Sequence, residues 1–274
     1  MTNTVRILLL ALFACCACTP VPVPEVEVLP TSLRSGALEQ GNFTLHYVES
    51  GSVKDPLVLF VHGTPGSWKA FARYLDDPRL KNRAHLISVD RPGFGLSAAS
   101  GAVTSFEEQA NYLAQLFALN ESSKPAIIVG HSLGGSLVYR LALDYPEKVQ
   151  ALVSISAPFD PAISGPRWYN QLARIPGARA VIGEAMAHAN DEMMPLAAQL
   201  EEINEQAEHL DIPVTLVHGA KDDLVKIENA ESASTVLTNA EVRTLSYAND
   251  GHFIVWERHD EMVNEIVKLL DASL

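Results

Sequence analysis

The sequence predicts an α/β fold, a mostly parallel sheet with helices on both faces. Three observations carry that prediction. From about Phe43 onward, short apolar runs rich in β-branched and aromatic residues alternate with amphipathic segments of helical period, the pattern of strands exchanging with crossover helices. Those runs are bounded by Gly, Asn, Pro and Asp, the residues that punctuate strands. And 274 residues with 47% hydrophobic and 19% charged content suit one generous α/β domain, or a domain with a small insertion, around a large buried core.

Taken in order, strands are expected at 43–48, 57–61, 85–89, 126–129, 151–155, 214–217 and 242–247. The third is stopped by Asp90-Arg91-Pro92-Gly93. Ser105 with Glu108 three residues later is a capping-box start, and Leu113, Leu116 and Phe117 supply the apolar stripe of the helix that follows. Helices are also expected over 133–143 and 227–237, and in a closing segment that carries Met262, Ile266 and Leu270. The rhythm breaks between residues 161 and 210, which hold helical material at 169–174, 178–187 and 195–209 and no convincing strand. The stretch from about 161 to 194 reads as an inserted helical lid.

The N-terminus reads as an export signal. Arg6 precedes the apolar run from Ile7 to Ala14, which is shorter than the roughly 20 residues a spanning helix needs. All three cysteines, Cys15, Cys16 and Cys18, close that run. Leu12-Phe13-Ala14-Cys15 resembles the lipobox of bacterial lipoproteins, which implies lipid attachment at Cys15 and an anchored place in the bacterial cell envelope. Which of the three cysteines becomes the mature N-terminus is left open. Residues 19–40 follow as a linker whose first half carries Pro20, Pro22, Pro24 and Pro30, a semi-stiff spacer by composition. The domain is expected over 41–274. A net charge of −13 disfavours nucleic acid as a partner, because such a chain repels phosphate backbones.

The chemistry is concentrated at three turns. Gly130-His131-Ser132-Leu133-Gly134 fits G-x-S-x-G between an apolar strand run and a helix-like segment, the setting a nucleophile elbow requires. A serine hydroxyl is a weak nucleophile and needs a base, itself oriented by a carboxylate. The strand ending at Val217 runs into Gly219-Ala220-Lys221-Asp222-Asp223, and the last strand runs into Asn249-Asp250-Gly251-His252-Phe253. The order is serine, acid, histidine. With these residues the chain from Phe43 onward resembles the α/β-hydrolase superfamily. The resemblance implies an eight-stranded, mostly parallel sheet with a short lid, and assigns the acid in the G-x-x-D turn to Asp222 rather than the adjacent Asp223. It also makes His62-Gly63-Thr64-Pro65 similar to the family's H-G-x-P loop, and implies an oxyanion hole formed by the backbone N–H groups of Thr64 and Leu133.

Val89 to Ser97 also resembles a common stretch of that superfamily and reads as architecture bordering the site. His131 and His218 are expected to pack. His46, His85, His188, His209 and His259 have no partner pattern and take surface or structural roles by default. No histidine or cysteine spacing suggests a metal, and the chemistry calls for no cofactor. The expected reaction is hydrolysis of a carboxylic ester or similar acyl bond on a small-molecule substrate through an acyl-enzyme. Ser132 argues against the epoxide-opening and dehalogenating members, which carry aspartate at the elbow. C–C bond hydrolysis, perhydrolysis, aminopeptidase and acyltransferase chemistry use the same triad and stay open, as does a catalytically silent envelope protein that keeps the fold for binding.

Overall fold

A computed structural model of the chain describes residues 31–272 except Asn42 and Pro176. The export segment, Cys15 and most of the proline-rich stretch lie outside the described residues. Eight strands form one sheet in the order β1-β2-β4-β3-β5-β6-β7-β8. They are β1 Arg34–Gln40, β2 Phe43–Ser50, β3 Leu57–Val61, β4 His85–Val89, β5 Ala126–His131, β6 Val149–Ile155, β7 Pro213–Gly219 and β8 Glu241–Tyr247. β2 runs antiparallel to both β1 and β4, and the remaining pairs are parallel.

The parallel centre explains why its strands are legible. On β3, Leu57, Leu59 and Val61 enter one core with Leu113, Leu137 and Leu200. Val58 and Phe60 enter the opposite core with Phe71, Tyr74 and Ile266. Successive side chains point to opposite faces, and helices cover both, so every residue of β3 and β4 is buried. The first face is covered by helices Phe106–Ala114, Leu133–Asp144, Leu196–Gln206 and Glu228–Val236, the second by Ala72–Asp76 and the closing helix His259–Ala272. That closing helix buries Met262, Ile266 and Leu270, the i, i+4, i+8 stripe its sequence carries. Ser105 caps the helix Phe106–Ala114 by accepting from the Glu108 N–H at 3.2 Å.

Several element ends shift by one to three residues from the sequence reading, and two elements differ in kind. Arg34–Gln40 lies inside the segment read as linker, yet it pairs along its whole length with β2. It is an edge strand, Arg-Ser-Gly-Ala-Leu-Glu-Gln, exposed at most positions, so no apolar alternation marked it. The helix expected at 178–187 is two, Ala178–Ile182 and Glu184–Met193, because Gly183 sits at φ 84° between them.

After β4 the chain crosses to the other side of β3 to form β5. The loops leaving the carboxyl ends of β3 and β5 therefore meet where the strand order reverses, the usual location of a site in an open α/β sheet.

Candidate active site

Ser132 is the single residue between β5 and the helix Leu133–Asp144, with φ 53° and ψ −129°. A non-glycine residue in that region is strained and has to be held there by its surroundings. The hold is visible. The Ser132 N–H donates to the Ile155 carbonyl at 2.8 Å. The flanking glycines let backbone pass backbone: a Cβ on Gly130 would lie 2.3 Å from the Gly134 carbonyl oxygen, and one on Gly134 would lie 2.4 Å from the carbonyl oxygens of both Val61 and His62. The motif thus presses the helix start against the end of β3 and turns the hydroxyl out of the sheet.

His252 and Asp222 meet that hydroxyl from the turns after β8 and β7. His252 Nε2 is 3.0 Å from Ser132 Oγ, and His252 Nδ1 is 2.8 Å from Asp222 Oδ2. The other carboxylate oxygen, Oδ1, accepts from the N–H groups of Leu224 at 2.9 Å and Val225 at 2.8 Å. Burial works to raise the Asp222 pKa, but the His252 hydrogen bond and charge, the Val225 N–H and His218 outweigh it and hold the carboxyl below its ordinary value. An ionised Asp222 fixes the tautomer: Nδ1 carries the proton and donates to the carboxylate, leaving Nε2 to accept from the serine. Asp223 is exposed and pairs with Lys226 at 2.8 Å, which leaves Asp222 as the carboxylate that faces the imidazole.

Two further histidines frame this line. His131 is buried and its Nε2–H donates to the His252 carbonyl at 2.9 Å; burial lowers its pKa to about 3, with the nearby His252 adding to the effect. His218 Nε2–H donates to the Val225 carbonyl at 2.9 Å, bracing the loop that carries Asp222. Both side chains are buried, in line with the packing expected of them, and the structure adds that each braces a loop of the site.

The loop after β3 is gripped from beneath. Arg91 is fully buried, and each of its five N–H groups has a partner. Nε donates to the His62 carbonyl at 2.8 Å and Nη2 to the Gly63 carbonyl at 3.0 Å. Nη1 donates to Gln109 Oε1 at 2.8 Å, and the guanidinium meets Glu192 twice, at 2.5 and 3.1 Å. Glu192 also accepts from Thr64 Oγ1 at 2.5 Å and from Gln109 Nε2 at 2.8 Å. A buried pair of this kind is sustained only when geometry and hydrogen bonding are complete, and here both are. Burial, aided by the Arg91 charge, lowers the His62 pKa to about 3. The neutral ring then donates from Nδ1 to the Gly63 carbonyl and accepts the Arg91 N–H at Nε2. Gly63 needs its missing side chain: a Cβ would sit 2.8 Å from Ser132 Cβ.

A cavity of about 320 Å³ opens over this constellation, with Thr64, Ser132, Leu133 and His252 in its wall. Leu133 is the first residue of its helix, so its N–H has no intrahelical acceptor. The roof comes from the segment 161–194. On the helix Glu184–Met193, residues Met186, Ala189, Asn190 and Met193 line the cavity, a stripe at i, i+3, i+4 and i+7. Its opposite side anchors the helix to the body through Glu192 and through His188, whose Nδ1–H donates to the Gly93 carbonyl at 2.7 Å.

A family model described as the alpha/beta hydrolase fold matches residues 56–192. The chain belongs to the α/β-hydrolase family. Bifunctional epoxide hydrolase 2 of Sus scrofa is 34% identical over 140 residues, 48% of this chain and 25% of that protein. The chain thus spans about a quarter of the length of the first curated relatives it matches. Among solved structures, the enol-lactonase from Burkholderia xenovorans LB400 gives a TM-score of 0.69 at 15% identity, covering 86% of this chain and 100% of that one. The carboxylesterase CesB from Bacillus subtilis gives 0.65 at 18% identity, covering 91% and 95%. At such identities the likeness shows the fold. The chain is accordingly an enzyme of the α/β-hydrolase family, with a relative that is an epoxide hydrolase.

Within that α/β-hydrolase frame, the sequence-predicted residues Ser132, Asp222 and His252 are brought into one hydrogen-bonded line, with Thr64 and Leu133 beside it. The Val89–Ser97 stretch borders the loop that carries Thr64, since Arg91 donates to the His62 and Gly63 carbonyls, and Asp90 ties the stretch down by accepting from His46 Nδ1 at 2.7 Å, the Trp68 N–H at 2.7 Å and the Leu96 N–H at 3.0 Å. His46, His85, His188 and His259 are buried and His209 is exposed. Gln109, Asn190 and Glu192 were missed, since they lie on helices with no motif around them. A buried acid in an otherwise amphipathic helix leaves no local signature. Asp77, His259 and Asp260 cluster closely enough to suggest a cation site, but Arg79 donates to both carboxylates at 2.6 Å and already supplies the positive charge there.

Proposed function

We propose that this chain is a serine hydrolase that cleaves a carboxylic ester or similar acyl bond through Ser132, His252 and Asp222. One observation carries the reading: a serine at φ 53° whose Oγ is 3.0 Å from an imidazole that is itself held, at 2.8 Å, by a buried carboxylate. His252 Nε2 takes the hydroxyl proton as Ser132 attacks the carbonyl, and returns it to the leaving group. Asp222 keeps the imidazole in the accepting tautomer and stabilises its cation. The N–H groups of Thr64 and Leu133 receive the developing oxyanion, aided by the N-terminal end of the helix dipole. Water then attacks the acyl-enzyme, and the serine is regenerated. No step needs a cofactor.

The epoxide-opening activity named for the relatives does not carry over, because that chemistry uses an elbow carboxylate and this elbow holds Ser132. The segment 161–194 acts as a lid in this reading, and the N-terminal segment directs export, with Cys15 as the lipid-anchored residue. The test is labelling by a fluorophosphonate probe followed by peptide mapping. Wild type should be labelled at Ser132, and Ser132→Ala should lose both the label and the turnover of p-nitrophenyl esters. Labelling that persists in Ser132→Ala removes that residue from the role.

A further inference from the structure

The cavity holds an unused hydrogen-bond donor whose orientation the structure fixes. Asn170 and Asn190 are both more than nine-tenths buried, and both line the cavity. The Arg167 N–H donates to Asn170 Oδ1 at 2.7 Å, so Asn170 must present its Nδ2 to its neighbour. That Nδ2 donates to Asn190 Oδ1 at 2.9 Å. Each amide therefore settles the flip of the next. Asn190 is left with its oxygen occupied and its NH₂ group without an acceptor among the described residues. Asn190 belongs to the cavity-facing stripe of the helix Glu184–Met193, with Met186 and Met193 on either side. The amide is therefore open to the cavity, where its two N–H groups are free to donate to an acceptor placed there.

Charge points the same way. The chain carries a net −13, yet among the described residues no Asp or Glu lines this cavity, whereas Arg167 and Lys226 do. Lys226 is already paired with Asp223. Arg167 donates one N–H to the Leu224 carbonyl at 3.2 Å and has no carboxylate partner among the described residues.

We infer that the cavity selects acyl substrates carrying a second, anionic oxygen group, a carboxylate, which Asn190 receives from the wall and Arg167 from the mouth. The inference rests on Ser132 being the nucleophile of the same cavity and goes further by naming the substrate class. The scissile ester would lie at Ser132, with the free carboxylate at the far end of the acyl chain.

The experiment compares two esters of equal chain length, p-nitrophenyl hydrogen glutarate and p-nitrophenyl valerate, on wild type, Asn190→Leu, Asn190→Asp and Arg167→Gln. Hydrogen bonds to a charged group correspond to roughly ten- to hundredfold in binding. Wild type should therefore favour the glutarate half-ester by at least about tenfold in kcat/KM. Asn190→Leu and Arg167→Gln should each pull that ratio toward one. Asn190→Asp keeps an acceptor for Asn170 Nδ2 but offers a carboxylate to a carboxylate, and should lower the ratio below that of Asn190→Leu. Added salt should erode the Arg167 share and spare the Asn190 share. A wild-type ratio at or below one, or a ratio unmoved by Asn190→Leu and Asn190→Asp, overturns the inference. Fluorophosphonate labelling of wild type keeps the two readings apart: a labelled Ser132 with no half-ester preference sinks the subsite alone, and an unlabelled Ser132 sinks the serine mechanism first.

Discussion

Replacing Glu192 by alanine should cost both stability and catalysis, although the residue never touches the triad. Its carboxylate takes two of the five Arg91 donors, one Gln109 donor and the Thr64 hydroxyl, in a place where Glu192 and Arg91 are wholly shielded from solvent. Without it, a guanidinium stays buried with two unpaired N–H groups and no counter-charge. Breaking one side of a buried pair costs about 3–5 kcal/mol, and for a domain of this size that lowers Tm by roughly 10 °C. The catalytic share arises because Arg91 also holds the carbonyls of His62 and Gly63, the two residues before Thr64. Losing an oxyanion donor costs about 2.7–4 kcal/mol, a factor of about 10² to 10³ in kcat, and a displaced loop should approach that. The assay is urea denaturation beside kcat and KM for a p-nitrophenyl ester. The companion variant Arg91→Met/Glu192→Leu removes both charges. It should recover most of the lost stability, since apolar replacement of a buried pair is often neutral, yet its kcat should stay low because nothing grips the His62 and Gly63 carbonyls. If Glu192→Ala unfolds within about 1 kcal/mol of wild type, or if the double variant regains full kcat, the clamp reasoning is wrong.

Other consequences are checked more simply. Gly63→Ala places a methyl 2.8 Å from Ser132 Cβ, so the labelling rate should fall by about 10²-fold, the scale of an ångström-level misplacement, while far-UV circular dichroism is kept; unchanged labelling contradicts the packing. His62 and His131 have folded pKa values of about 3 against an unfolded value near 6.5. Below pH 6.5 only the unfolded chain takes up their protons, so stability is full above that pH and drains away as pH falls toward 3. The loss at pH 5 is about 2 kcal/mol for each histidine. Denaturant midpoints from pH 7 to 4 should show this slope, and His131→Gln should make it shallower; an equal slope in the variant removes His131 from the account. At the N-terminus, mass spectrometry of the protein purified from its own membranes should find an acylated Cys15, and an unmodified terminus rejects lipid attachment there.

The parts that were legible in the sequence share a cause. β3, β4 and β5 are buried on both faces, so each is dominated by apolar residues, broken only by His85 and Ser88 in β4 and by Gly130 and His131 at the end of β5, and the sequence places β3 and β4 to the residue. The elbow is legible because close backbone passage admits only glycine at 130 and 134, and strain confines the nucleophile to the residue between them. β1 is the opposite case. Its strand identity comes from the hydrogen bonds of β2, and its own side chains face solvent, so its pattern resembles a linker. Gly183 shows a third kind of failure: helical composition continues across it, and the break depends on one positive φ.

The clamp was illegible for a different reason. Arg91 and Glu192 are 101 positions apart, and each looks ordinary in its surroundings, one in a turn after a strand and the other on a polar-looking helix. Their partnership follows from the strand order, which brings the turn after β4 alongside the loop after β3, and from the insertion folding back over both. The same helix then presents Met186, Ala189, Asn190 and Met193 to the cavity while Glu192 and His188 hold it down. A roof pinned by a fully paired buried charge is a fixed wall at that helix. If the insertion acts as the lid of the proposed function, substrate entry is expected through its part before Gly183, where the short helices Trp168–Leu172 and Ala178–Ile182 bury little. A disulfide or cross-link fixing the helix Glu184–Met193 to the body should leave turnover intact, whereas one fixing the 168–182 stretch should slow it. The reverse result would mean that the clamp opens during the cycle.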